Sequence, residues 1–164
     1  MQSSRNPQVL AGILDALEEI QRETPLVFPV HPRTRGNLER SGLAARLAAM
    51  RAMRLIDPLG YLDFLKLMSR AAVVLTDSGG IQEETTVLGV PCLTLRANTE
   101  RPVTAEQGTN QVVGMAPERI VAAYRRVRAG QVKPRVPALW DGRAAERIAE
   151  IMVRWHVAGR TSTP

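Results

Sequence analysis

The chain has 164 residues, of which 45% are apolar, 23% are charged and 4% are aromatic, and its formal net charge is +6. This size and apolar content indicate one globular domain and exclude a disordered chain, and no apolar run is long enough to span a membrane. The excess of basic residues does not indicate nucleic-acid binding, because residues 57–110 are net acidic and few aromatic side chains are available to stack on bases.

The first half of the chain alternates between helix and strand patterns. Apolar residues at three- and four-residue intervals from Val9 to Ile20 predict an amphipathic helix that ends before Pro25. The apolar run Leu26–His31 predicts a strand, although Pro29 inside it cannot donate to a sheet ladder. The next predicted elements are a helix carrying Leu43, Leu47 and Met50, a strand at Met53–Pro58 and a helix at Tyr61–Arg70.

The second half continues the alternation. The valine-rich run Ala72–Asp77 is too short for a helix and predicts a strand, after which a helix begins at Ser78-Gly79-Gly80 and ends at Gly89. The remaining predicted elements are a strand at Val90–Arg96, a loop at Ala97–Asn110, a strand at Gln111–Gly114, a helix from Pro117 that ends at Gly130, a helix beginning at Trp140 and a frayed tail at Val157–Pro164.

This order of elements predicts an α/β domain over residues 1–156, with a doubly wound, mostly parallel sheet covered by helices on both faces. The single cysteine, Cys92, cannot form an internal disulfide, and we expect it to be buried on a strand. His31 and His156 are far apart and give no zinc-binding spacing, so we expect no metal and no cofactor. The first residues carry no secretory signal pattern, which favours a cytoplasmic protein.

The run Asp77–Glu84 is the most informative segment, because ligands of parallel α/β sheets bind where strands end and helices begin. Gly79 and Gly80 leave backbone N–H groups approachable by an anion. Ser78 can donate to a phosphate oxygen or simply cap the helix. Glu84 is placed one to two turns further on, where a carboxylate can accept hydrogen bonds from ribose hydroxyls. Together these residues favour a nucleotide site over a plain N-cap with a tight turn.

A wider set of motifs carries a family resemblance. Leu75–Glu84 is followed by Leu88–Pro91, Thr99–Pro102, Gly108–Asn110 and Val113-Gly114, and is flanked by Pro29–Arg35, Asp57–Phe64 and Trp140–Ala144. In order and spacing, the set resembles the C-terminal half of the non-hydrolysing UDP-N-acetylglucosamine 2-epimerases, from about Val9 to Ile151. The resemblance implies one Rossmann-like half of a two-domain fold of the glycosyltransferase-B kind, in which the nucleotide sugar lies between the domains.

The resemblance also implies roles for single residues. Ser78, Gly79 and Gly80 would contact the diphosphate of UDP, and Glu84 would hold the ribose hydroxyls. Arg101 would face the phosphates with the bidentate geometry that suits anions. The alternative for Arg101 is a surface ion pair with Glu100 or Glu106.

Two further residues have both a functional and a structural interpretation. Phe64, with the backbone of residues 59–61, would form the wall of a uracil pocket, and the alternative is a core side chain. In bacterial members the histidine matching His31 belongs to a regulatory site for a second UDP-N-acetylglucosamine. The alternative is a histidine that caps a strand end and bonds to backbone. Arg33 and Arg35 are most simply part of a solvated helix face, with phosphate binding as the minority interpretation.

The family's reaction interconverts UDP-N-acetylglucosamine and UDP-N-acetylmannosamine by eliminating UDP and adding it back. Its catalytic carboxylates lie in an N-terminal domain, so the resemblance implies no catalytic residue in this chain and no activity for the chain alone. The implied partners are UDP, UDP-N-acetylglucosamine, an N-terminal domain supplied in trans and, for a full-length parent, a second copy.

Two other function classes stay open at this point. One is the donor-nucleotide domain of a two-domain glycosyltransferase, which usually lacks the Thr99–Pro102 motif. The other is a free-standing interaction or nucleic-acid module, whose binding to DNA would depend steeply on salt.

Overall fold

In the computed structural model, which describes residues 6–160 and the side chains through residue 157, helices alternate with short parallel strands. The helices are α1 (Pro7–Ile20), α2 (Pro32–Arg40), α3 (Ala44–Ala48), α4 (Tyr61–Ser69), α5 (Gly79–Leu88), α6 (Pro102–Glu106), α7 (Pro117–Arg128) and α8 (Ala144–Arg160), and the strands are β1 (Leu26–Pro29), β2 (Met53–Ile56), β3 (Val74–Thr76), β4 (Cys92–Thr94) and β5 (Asn110–Val112). The predicted α/β class is confirmed. Among the described residues, no helix is both long and apolar enough to cross a membrane.

The strands form two separate hydrogen-bonded sheets instead of one continuous sheet. β1 pairs with β2, β4 lies between β3 and β5, and every pairing is parallel. Leu26 and Val30 donate their N–H groups to the β2 side. Because successive residues of a strand point their N–H groups to opposite edges, Pro29 belongs to the other edge of β1 and has no N–H to donate there. The proline noted in the sequence therefore leaves the edge of β1 opposite β2 with one donor fewer.

Helices cover both faces of the β3-β4-β5 sheet. Leu93 of β4 packs into a core cluster with Ile20 of α1 and with Ile120 and Tyr124 of α7. Cys92, the neighbour of Leu93 on β4, points to the opposite face, toward Thr85 of α5. The sheet is therefore covered by α1 and α7 on one side and by α5 on the other, as the alternating sequence predicts.

A second core cluster joins the first helix to the β1-β2 ladder. Leu10 and Leu14 of α1 pack there with Val30, Leu38 of α2 and Leu47 of α3. Since α1 also contributes Ile13, Ala16 and Ile20 to the first cluster, it is the element that connects the two cores.

Two helices lie where the apolar pattern predicts no element, although α2 does carry the solvated helix face expected for Arg33 and Arg35. α2 begins at Pro32, and it buries only Thr34 and Leu38, too few positions for a helical period to be recognised. Gly42, with φ of +69°, separates it from α3. α6 occupies five residues of the predicted loop. α8 continues to Arg160, past the predicted start of the tail at Val157, and residues 161–164 lie outside the described part.

Candidate functional site

The N-terminus of α5 follows directly from the end of β3. Ser78 is the N-cap residue with extended backbone, and its side chain makes no capping hydrogen bond. Its own N–H donates to Oγ1 of Thr76 at 3.1 Å. Within the described residues, the N–H groups of Gly79 and Gly80 donate to no acceptor. The first turn of α5 therefore presents two free backbone donors, an uncommitted hydroxyl and the positive end of the helix dipole, which is what an anion requires.

The two glycines are not required by the backbone. Neither Gly79 nor Gly80 has positive φ. A Cβ atom built on Gly80 would have no heavy atom within 4 Å, and one built on Gly79 would first meet Cγ of Arg101 at 3.9 Å. Because glycine in a helix is less stable than alanine by about 0.5–1 kcal/mol, folding alone favours alanine here. The open space in front of Gly80 is therefore available to a ligand.

Arg101, which the family resemblance assigns to the same site, lies beside Gly79. It is the N-cap of α6, and its Nε is 3.1 Å from Oε1 of Glu83 on α5, with both side chains partly exposed. The alternative ion pairs with Glu100 or Glu106 are not formed. Glu100 instead accepts from Arg96 at 2.9 Å, and this hydrogen bond lowers the pKa of the Glu100 carboxyl.

The side chain of Glu84 is half-buried on α5 and makes no hydrogen bond or ion pair with another described residue. Its neighbour Glu83 is the partner of Arg101. The two adjacent carboxylates therefore differ in environment. Glu84 is the one that remains available to a ligand hydroxyl.

Phe64 lies on α4, a helix that packs beside α5. The ring is half-buried and belongs to neither core cluster of the described residues, which argues against the core interpretation. The segment just before it is open to solvent, since Leu59 is 39% and Tyr61 is 63% exposed. This surface beside α5 is suited to an aromatic ligand, and the uracil contact stays a prediction.

His31 lies between β1 and α2. It is the N-cap residue of α2, and its Nδ1 accepts a hydrogen bond from the N–H of Arg33 at 3.2 Å. The structural alternative, a histidine bonded to backbone at a strand end, is therefore observed. Arg35 forms an exposed ion pair with Asp57 at 3.2 Å. A regulatory role for His31 stays a prediction.

Metal binding and thiol chemistry find no support in the described part of the chain. No group of three His, Cys, Asp or Glu side chains that could hold a metal ion occurs there. Cys92 is fully buried on β4 as predicted, and burial raises the pKa of its thiol to about 11. Such a thiol is protonated at neutral pH and is a poor nucleophile.

A separate cavity of about 450 Å³ lies beyond the N-terminal end of β5. Its lining includes Gly108, Thr109, Gln111, Lys133 and Arg135. None of the predicted nucleotide-binding residues lines it. The residues at the start of α5 instead form an open surface.

Sequence reasoning missed the buried polar residues behind this surface. Gln82, Thr104 and Asn110 are almost completely buried, and they hydrogen bond to one another and to Thr99. Thr99 and Asn110 fall within the motifs that carried the family resemblance, but nothing in their spacing predicts a shared cluster. Only the fold brings α5, β5 and the segment before α6 together.

The chain is similar to known 2-epimerases over most of its length. A family model described as UDP-N-acetylglucosamine 2-epimerase matches residues 2–153. The UDP-N-acetylglucosamine 2-epimerase of Methanocaldococcus jannaschii is 38% identical over 148 residues, 90% of this chain and 40% of that protein. The UDP-2,3-diacetamido-2,3-dideoxy-D-glucuronate 2-epimerase of Pseudomonas aeruginosa is 38% identical over 154 residues, 93% of this chain and 42% of that protein.

Solved structures agree with the sequence comparisons. The crystal structure of the Methanocaldococcus jannaschii enzyme in complex with UDP-GlcNAc and UDP is 36% identical with a TM-score of 0.83. The match covers 93% of this chain and 42% of that one. The chain therefore spans about 40% of the length of the relatives it matches.

Proposed function

The chain belongs to the UDP-N-acetylglucosamine 2-epimerase family, and we propose that it supplies the surface that binds the UDP part of a UDP-sugar. In this proposal, the diphosphate contacts Ser78 and the free N–H groups of Gly79 and Gly80. Arg101 faces the same diphosphate from α6. Glu84 accepts the ribose hydroxyls.

The observation that carries the proposal is the glycine pair at the start of α5. Its backbone is helical, space is open in front of Gly80, and the neighbouring donors have no protein partner among the described residues. A helix N-terminus with these properties suits a phosphate group. Two relatives support the nucleotide, since one is named as a UDP-N-acetylglucosamine 2-epimerase and the other as a 2-epimerase of a different UDP-sugar. The UDP part is common to both names.

The reaction is the finer part of the proposal. We infer that the chain is part of an enzyme that converts UDP-N-acetylglucosamine to UDP-N-acetylmannosamine by eliminating UDP and adding it back. When the bond from the sugar to UDP breaks, negative charge develops on the diphosphate. The α5 N-terminus and the guanidinium of Arg101 would stabilise that charge, because preoriented donors and a cation need no reorganisation as it forms. The family match favours this reaction over the glycosyltransferase alternative.

Removal of the proton on C2 of the sugar needs a base whose accepting atom lies about 3 Å from that carbon. The carboxylates near the α5 N-terminus are Asp77, Glu83 and Glu84, which in this proposal lie at the nucleotide end and not at the sugar. The base is therefore proposed to belong to the part of the relatives that this chain does not span. An N-terminal domain in trans, a second copy and a cytoplasmic location stay predictions.

Titration calorimetry or ligand-observed NMR with the 164-residue chain tests the proposal. We expect UDP to bind more tightly than UMP or ADP, with a Kd on the order of 0.1–1 mM because much of the contact surface is missing. Equal binding of UDP and ADP would remove the support for a uracil contact at Phe64. No binding of UDP at millimolar concentration would overturn the proposal.

A further inference from the structure

A cluster of five polar side chains lies directly behind the candidate site. We name it the polar cluster, and its members are Gln82, Thr94, Thr99, Thr104 and Asn110. Asn110 Nδ2 donates to Gln82 Oε1 at 3.1 Å and to Thr104 Oγ1 at 3.0 Å, and Asn110 Oδ1 accepts from Thr94 Oγ1 at 2.6 Å. Oγ1 of Thr99 donates to the same oxygen of Gln82. The polar cluster therefore connects α5, β4, β5 and α6 through one set of hydrogen bonds.

The polar cluster ends on the backbone of Arg101. The N–H of Arg101 donates to Oγ1 of Thr99 at 2.9 Å, and Oγ1 of Thr104 donates to the carbonyl of Arg101 at 2.7 Å. Both backbone groups of this residue are thus held by hydroxyls that themselves bond to buried amides. The ion pair between Arg101 Nε and Glu83 holds the side chain from the α5 side.

Gln82 is the member that ties this arrangement to α5. Its side chain is fully buried, its Oε1 accepts two hydrogen bonds, and its Nε2 has no partner. A buried donor without a partner is unfavourable, and an apolar side chain of similar volume would avoid that loss. The amide therefore contributes through its oxygen, which links the start of α6 to the fourth residue of α5.

The segment after α6 is also packed tightly on α5. A Cβ atom on Gly108 would fall 2.4 Å from the carbonyl oxygen of Thr104 and 2.7 Å from Cγ2 of Thr86. Such distances leave no room for a side chain at Gly108. Close packing after α6 and the hydrogen bonds at its start therefore both hold this helix against α5.

We propose that the polar cluster positions Arg101 so that its guanidinium faces the first turn of α5, and that it thereby sets the affinity for the diphosphate but not for the nucleoside. Gln82, Thr99 and Thr104 are positioning residues in this proposal, since they act through Arg101. The inference rests on the proposed function, because it takes the diphosphate of UDP as the group that Arg101 meets.

The test compares UDP with uridine in variants of the 164-residue chain. Thr99→Val is nearly isosteric and removes the hydroxyl between Arg101 and Gln82, and Thr99→Ser keeps that hydroxyl as a matched control. We expect Arg101→Ala to weaken UDP binding by about tenfold, the effect of one charge-assisted hydrogen bond. Thr99→Val should weaken it by about three- to tenfold, and Thr99→Ser by less than twofold. Uridine affinity should not change in any of them.

A double-mutant cycle distinguishes the positioning of Arg101 from a general structural effect of the variants. In the Arg101→Ala background, Thr99→Val should cause no further loss of UDP affinity, because the group it positions is gone. Thr104→Val provides the second variant, since its hydroxyl holds the other backbone group of Arg101. Melting curves establish that each variant is folded.

The outcomes separate this inference from the proposed function. If Arg101→Ala weakens UDP binding while both valine variants bind UDP like the parent, the positioning role is overturned and UDP binding stands. If the valine variants lose uridine and UDP affinity equally, or lose further affinity in the Arg101→Ala background, their effect is structural and the inference is overturned. If the parent chain does not bind UDP, both are overturned.

Discussion

At Gly80, folding favours alanine, whereas the proposed binding of the diphosphate requires glycine. Its φ is not positive, and a Cβ atom there would meet nothing within 4 Å in the described structure. Gly80→Ala should therefore fold as well as the parent and should raise the free energy of unfolding by about 0.5 kcal/mol. The added methyl group would enter the space proposed for the diphosphate, so UDP affinity should fall by at least tenfold.

Gly36→Ala is a matched control for Gly80→Ala. Gly36 is a helical residue of α2, and a Cβ there would meet only the flexible end of Arg40 at 3.3 Å. This variant should keep UDP affinity. Urea unfolding and calorimetry on both variants make the comparison, and a Gly80→Ala chain that binds UDP normally would contradict a phosphate site at this turn.

Glu84 can be tested against the ribose hydroxyls it is proposed to hold. Glu84→Gln keeps the volume and helix propensity but removes the charge, so UDP affinity should fall by roughly tenfold while the melting temperature changes little. The parent should prefer UDP to 2′-deoxy-UDP, and the variant should lose most of that preference. Glu106→Gln on α6 is the control, because Glu106 is exposed. An unchanged preference in Glu84→Gln would assign the carboxylate another role.

For single residues, the sequence indicates an anion site at Ser78, Gly79 and Gly80 because they lie between a strand and a helix, and the family resemblance adds Arg101. The contact of these residues with a diphosphate stays a prediction. The sequence could not indicate that Arg101 pairs with Glu83, since the two residues are 18 positions apart and Glu100 and Glu106 are nearer in the chain. Burial of Gln82 also could not be inferred, because a lone glutamine among charged residues is usually exposed.

Among the elements, α1 and α3 are joined by an ion-pair cluster in which Arg46 bonds to Glu18 and Asp15. The hydrogen bond from Arg46 lowers the pKa of Glu18 in the folded chain. A lowered carboxyl pKa adds stability above the unfolded value of 4.5, and this contribution is lost as the pH falls through the folded value. Because these side chains are partly exposed, the contribution should be about 0.5–1 kcal/mol.

Arg46→Met should therefore lower the free energy of unfolding at pH 7 by that amount and by a smaller amount at pH 3, because the contribution decreases as the pH falls below 4.5. Urea unfolding at pH 7 and at pH 3 checks this prediction. Arg51→Met is the control, because Arg51 is exposed and forms no ion pair with the described residues. An equal loss at both values would show that Arg46 acts through the packing of its stem.

The order of the elements was predictable because the long helices show apolar residues at three- and four-residue intervals and the strands are short apolar runs. The predicted helix and strand types are confirmed for α1, α4, α5, α7 and α8 and for all five strands. α2 and α6 were missed because they are short and begin at prolines, with few buried apolar positions. The edge of β1 that Pro29 faces could not be predicted, because it is known only when the pairing with β2 is known.

For the whole chain, we expect UDP binding without catalysis. Deprotonation at C2 needs a base close to that carbon and a site closed to water. Since the proposed site offers carboxylates only at its nucleotide end, the 164-residue chain should give no detectable UDP-N-acetylmannosamine from UDP-N-acetylglucosamine. It should also cause no deuterium exchange at C2 in heavy water.

This chain spans 40% of the length of the Methanocaldococcus jannaschii relative. Activity should appear when the N-terminal part of such a relative is supplied in cis or in trans. NMR of the sugar signals follows product and exchange together. The control is the same mixture with Arg101→Ala, which should bind less UDP and give a lower rate. Deuterium exchange by the 164-residue chain alone would show that the base lies within it.

Binding of UDP at the first turn of α5 can be tested by titrating the ¹⁵N-labelled 164-residue chain with UDP and following its amide NMR shifts. We expect saturable shifts at Ser78, Gly79 and Gly80, with smaller shifts on the start of α6. Uridine should shift residues near Phe64 and leave the glycine amides nearly unchanged. Shifts confined to the cavity beside Gly108 and Lys133, or no saturable shift at all, would rule out a UDP site at this turn.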